Sequence, residues 1–154
     1  MAAALCVVYT SVSMRLNGGE LSPPLDDAFI HFQYARRMAE GAPFSYQAGD
    51  GFSSGATSLI WPAVLAVGWR LGFQDVSLYV WTLLLNTVLL AAAGTFTYRW
   101  LGRVADERTA LFGTVLLVTT GPLVWAAFSG MEVLLFATAM AAVLDGITRP
   151  DRPP

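Results

Sequence analysis

Apolar residues in this chain fall into long runs separated by short charged segments and one long polar stretch, a spacing that predicts membrane-crossing helices. Ser77 to Tyr98 holds no charge and only Asn86 as a strongly polar interruption, and Thr109 to Phe128 is uncharged throughout. Each reaches the roughly 20 residues that a helical span requires. Val133 to Ile147 is a further apolar run, with Asp145 near its end. Ala2 to Met14 is apolar but shorter, and no basic residue precedes it; a span whose beginning is missing and a signal-peptide core both fit. Ser58 to Phe73 is short and carries Pro62 and Arg70, which favour a re-entrant or interfacial element over a crossing. The expected fold class is all-α: a polytopic transmembrane helical bundle with spans at residues 2–15, 77–98, 109–128 and 132–148. Residues 16–76 form an external loop carrying amphipathic interfacial helices, with the element 58–73 among them.

Within that polar loop one helix is well punctuated. Pro23-Pro24 stops any preceding helix, Asp26-Asp27 can cap the next, and Gly41 followed by Pro43 ends it. At 100° per residue, Ala28, Ile30, Phe32, Tyr34, Ala35, Met38 and Ala39 share one broad arc, with Asp27 and His31 inside it. Phe29, Gln33, Arg36, Arg37 and Glu40 take the other side. Such a helix lies along a surface.

Composition sharpens the class. The 154 residues are 55% hydrophobic and 13% charged, too apolar for an ordinary soluble domain. A net charge of -2 offers no basic patch, so nucleic acid is not an expected partner. Cys6 is the single cysteine and His31 the single histidine, which excludes a disulfide framework and a cysteine or multi-histidine metal site within the chain. The glycines at 49, 51 and 55 lack the Gly-Lys-Ser/Thr of a nucleotide loop.

Arg99, Arg103 and Arg108 crowd the short loop between the two clearest spans, and the positive-inside rule places that loop in the cytoplasm. The last run then heads back inward, toward Arg149 and Arg152. Provided that 58–73 does not cross, Asp26, Asp27 and Glu132 lie together on the external face, although Arg15, Arg36, Arg37 and Arg70 would be external too.

Three stretches, Asp26 to Arg37, Ser54 to Pro62 and Ser129 to Phe136, resemble in order three motifs of bacterial GT-C glycosyltransferases. The chain is similar to mycobacterial arabinofuranosyltransferases and, more distantly, to protein O-mannosyltransferases and aminoarabinose transferases. The resemblance implies an enzyme of the bacterial inner membrane. It would move a sugar from a polyprenyl-phosphate donor to an extracytoplasmic glycan, lipid or protein acceptor. Such enzymes are normally several hundred residues long, so the chain resembles an N-terminal part of one.

The resemblance also implies roles. Asp26 maps to the acid assigned as general base, and Asp27 would support it through orientation or like-charge proximity. Glu132 maps to a second acid that binds substrate or metal; a divalent metal ion, if used, would be held by Asp26 and Glu132. Arg36 and Arg37 match a phosphate or lipid headgroups, and His31 either bonds Asp27 or is an ordinary interfacial residue. Plainer readings stand beside these. Asp26 or Asp27 is only a helix cap, Ser129-Gly130-Met131-Glu132 is a capping box, and Asn86 bonds a neighbouring helix. The whole chain can likewise be a non-catalytic transporter or assembly subunit with an acidic interfacial loop.

Overall fold

The computed structural model describes residues 1–149, and among these described residues there are seven helices and no strand. Arg152 lies outside the described residues. The helices are α1 (Ala2–Leu16), α2 (Asp27–Ala39), α3 (Ile60–Arg70), α4 (Val76–Val104), α5 (Glu107–Thr119), α6 (Gly121–Phe128) and α7 (Val133–Ile147).

α4 is the spine. Its 29 residues reach about 43 Å at 1.5 Å per residue. Asn86 meets Met131, Leu89 meets Thr138, and Arg103 meets Asp145, so α7 runs parallel to it. α5 returns antiparallel, with Gly113 against Leu101 and Gly94 against Val118. The hairpin between α4 and α5 is closed by Asp106. Its carboxylate accepts from the Thr109 hydroxyl and from the Arg108 and Thr109 amides, which holds its pKa below the usual carboxylate value. α1 also runs opposite to α4: Met1 and Ala2 border Leu90 and Tyr98, while Tyr9 packs on Phe128 at 5.1 Å between ring centroids. One end of the bundle therefore gathers Arg99, Arg103 and Arg149, and the other carries α2, α3 and the α6–α7 turn.

Among the described residues, α4 is the helix long and apolar enough to cross a membrane by itself; α1 and α7 are shorter apolar helices. The stretch 109–128, expected as one unbroken span, is instead α5 and α6, bent by 53° at Thr120. Pro122 in the first turn of α6 explains the break, because proline lacks an N–H and clashes with the carbonyl four residues earlier. Bulky apolar side chains point outward on several helices, among them Val8 and Val12 on α1, Leu84 and Val88 on α4, Phe112 and Leu116 on α5, and Phe136 and Met140 on α7.

α2 buries Ala28, His31, Phe32, Tyr34 and Ala35, within the arc that helical spacing assigns, and leaves Phe29 and Arg36 exposed. α3 lies against it, with the Arg70 guanidinium donating to the Ala39 carbonyl at 3.2 and 3.3 Å. The intervening loop is pinned to α2 by Gln33 Nε2–H donating to Tyr46 O (2.6 Å) and by Gly55 N–H donating to Tyr34 Oη (2.8 Å). α3 docks on the second turn of α4 because Gly68 has no side chain: a Cβ there would stand 2.3 Å from the Trp81 ring.

Gly68→Ala therefore reverses the usual expectation. Helix propensity alone favours alanine by about 0.8–1.0 kcal/mol, whereas overpacking against Trp81 costs about 1–3 kcal/mol. Net destabilisation by reversible unfolding in mixed micelles is expected, with recovery in the Gly68→Ala, Trp81→Leu double variant. A stabilised Gly68→Ala would contradict the close α3–α4 contact.

Candidate functional site

The turn from α6 to α7 is buried, and its carbonyls need partners. Tyr79 Oη–H donates to Phe128 O at 2.6 Å, Trp61 Nε1–H to Gly130 O at 3.0 Å, and Asn86 Nδ2–H to Met131 O at 3.5 Å. Asn86 thus bonds the turn ahead of α7, close to its expected role. Gly130 has φ +93°, and a Cβ on it would fall 2.8 Å from the Ala28 Cβ, so only glycine lets this turn rest on the first turn of α2.

That contact delivers Glu132 to α2. Glu132 Oε2 stands 3.3 Å from His31 Nε2; Thr57 Oγ1 lies 3.2 Å from His31 Nε2 and 3.1 Å from Glu132 Oε1. His31 is buried, and its Nδ1 has no hydrogen-bond partner. The pattern assigns the neutral Nε2–H tautomer: His31 donates to Thr57, and Thr57 donates to Glu132. Burial holds the imidazole below its ordinary pKa, against the opposing pull of Glu132 and Asp27. Protonation would also place an N–H at Nδ1 with no acceptor, which outweighs the attraction suggested by the 3.3 Å separation.

Two plainer readings change here. Ser129 and Glu132 do not form a capping box, because Ser129 closes α6, with its Oγ bonded to Ala126 O, and Glu132 stands at the N-cap of α7 without a capping bond. His31 is neither an ordinary interfacial residue nor hydrogen-bonded to Asp27; its partners are Thr57 and Glu132. At Asp26 the backbone is already helical (φ −63°, ψ −33°) and the carboxylate makes no capping bond, whereas a side-chain cap needs an extended backbone. Asp26 and Asp27 are both exposed at the start of α2.

Arg36 and Arg37 are not brought into this cluster. Both pair with Glu40, through Arg36 Nε at 2.8 Å and Arg37 Nη1, and they stand about 14 Å along the helix from Asp27 at 1.5 Å per residue. Among the described residues no three His, Cys, Asp or Glu side chains group to hold a metal ion. Asp26 and Glu132 alone are too sparse a donor set for a resident divalent ion, which asks for about six oxygens. A depression of about 710 Å3 lies between α1 and Ser22-Pro23-Pro24, and Asp26 does not line it. The chain matches no protein-family model, no curated protein and no solved structure among those compared.

His31 as the single histidine makes the site directly observable. Its ring resonances in micelles should titrate with a midpoint below 6.5, the ordinary imidazole value. Because the unfolded chain then binds the proton more readily, folding stability should fall as pH drops from about 6.5 toward that midpoint. His31→Gln should lose this component. A midpoint above 6.5 would mean that the Glu132 charge prevails over burial.

Proposed function

We propose that the chain is the N-terminal part of a polytopic GT-C-type glycosyltransferase of the bacterial cell membrane, moving a sugar from a polyprenyl-phosphate donor to an extracytoplasmic acceptor. The observation that carries this reading is convergence. The three stretches that resemble the family's motifs meet at one end of the bundle: Ala28 against Gly130, Trp61 on the Gly130 carbonyl, and Thr57 between His31 and Glu132. The outward apolar residues of α1, α4, α5 and α7 suit lipid, and the arginines at the far end suit a cytoplasmic face.

In the transfer step the acceptor hydroxyl oxygen attacks the anomeric carbon as the carbon–oxygen bond to phosphate breaks. Polyprenyl phosphate leaves with the bonding pair, and the hydroxyl proton goes to Asp26, a carboxylate not used as a cap. Asp27, in the first turn, supports it. Glu132, oriented by Thr57, faces the same end as a polar contact for the sugar. One observation favours a second reading, a non-catalytic membrane subunit: Glu132 Oε1 is taken up within the chain by the Thr57 hydroxyl, as a structural clasp requires.

Asp26→Asn separates the two readings. In the complete enzyme, with a radiolabelled polyprenyl-phosphate sugar, it should lower initial rates about 10²–10⁴-fold at unchanged membrane insertion. Wild-type rates would remove the catalytic assignment and leave the subunit reading standing.

A further inference from the structure

A second cleft, of about 360 Å3, opens where α2 passes the end of α3 and the start of α4. It is within the range of about 300–1,000 Å3 typical of small-molecule sites. Its walls are aromatic: Phe29 and Phe32 from α2, Tyr46 from the loop and Trp69 from α3. Three polar side chains converge on it. Gln33 spends its Nε2–H on Tyr46 O, which leaves its Oε1 as an acceptor. Arg36 lies over the Trp69 ring at 5.6 Å with Nε tied to Glu40, which leaves its terminal N–H groups as donors. The third is Asp75.

Asp75 is the telling residue. Its backbone sits at φ 53°, ψ −124°, and Ser77 N–H donates to Gln74 O at 3.0 Å, the pattern of a type II′ turn with Asp75 at its first central position. Glycine belongs there, and an aspartate is strained. Its carboxylate is exposed and makes no capping bond to α4, and within the chain it feels only the longer-range attraction of Arg36. A strained residue at a cleft, carrying a carboxylate with no hydrogen bond to the helix it precedes, points to a ligand contact.

The groups select the ligand. A phosphate would meet the Asp75 carboxylate, and a quaternary ammonium would meet Arg36. A hydrocarbon chain would strip water from three polar groups without replacing it. A neutral polyol ring has hydroxyls that give to Asp75 and Gln33 and accept from Arg36, with C–H faces that pack on the aromatic walls. We infer that this cleft is a carbohydrate-binding subsite with Asp75 as its anchoring carboxylate. Sugar binding here is independent of the transfer step, so it stands or falls apart from the function proposed above.

The test needs no donor lipid. Saturation-transfer NMR on the whole chain in micelles, with the methyl glycosides of glucose, mannose, galactose and arabinose as probes, should show transfer from aromatic protons to at least one of them. Asp75→Gly should weaken that binding about tenfold or more, the weight of a charge-assisted hydrogen bond. The same change should leave the thermal midpoint unchanged or higher, because it relieves the turn. Trp69→Ala should likewise abolish transfer. No transfer to any of the four glycosides, undiminished binding by Asp75→Gly, or a lowered midpoint in that variant would each overturn the assignment. Loss of sugar transfer by Asp26→Asn with intact glycoside binding would leave both proposals in place, whereas glycoside binding with wild-type Asp26→Asn rates would remove only the transfer reading.

Discussion

Burying a chain reversal is costly unless each exposed carbonyl finds a donor, and the α6–α7 turn is such a reversal. Phe128, Ser129 and Gly130 are all buried there. Tyr79 and Asn86 from α4 and Trp61 from α3 supply the donors. The requirement explains why α3 must lie where Trp61 can reach, why Gly68 must be small for α3 to dock, and why Gly130 admits α2 at its side. Thr57, His31 and Glu132 then meet as a consequence, since each is a short distance along the chain from one of those fixed points.

The opposite end is organised by charge. Asp145 is buried yet contacts Arg103 at 2.7 Å, Arg149 at 3.0 Å and Arg99 at 3.6 Å. Arg103 also donates to the Asp145 carbonyl at 2.6 Å and to Thr148 Oγ1 at 3.1 Å. One carboxylate thereby ties the ends of two parallel helices, and three arginines neutralise it more than fully. The long-range effect is a bundle with an arginine end and an end bearing Asp26, Asp27 and Glu132, and α4 and α7 run from the second toward the first.

Much of this was legible in the residue pattern where local rules act alone. The prolines before Asp26 and the glycine at 41 bracket α2, and helical spacing put His31 on its inner face, as found. The break at Thr120 was missed because hydropathy ignores Pro122, whose missing N–H was the available signal. The Ser129-to-Glu132 spacing read as a capping box because nothing local reveals that Ser129 ends one helix rather than starting the next. Asp145 looked merely near a helix end; its four-residue spacing to Arg149 hinted at pairing, but Arg99 and Arg103 reach it only through the α4–α7 contact. Thr57 carried no signal beyond its stretch, because its role depends on partners 26 and 75 residues away.

The central claim is that the α6–α7 turn, the 54–62 stretch and α2 form one connected site. A double-mutant cycle between Thr57→Val and Glu132→Gln, read as unfolding free energy in mixed micelles, tests it most directly. A direct hydrogen bond between partly exposed groups predicts a coupling of about 0.5–1.5 kcal/mol. Additive effects, with no coupling beyond error, would mean that Glu132 and Thr57 do not meet and that the three stretches are not joined as described.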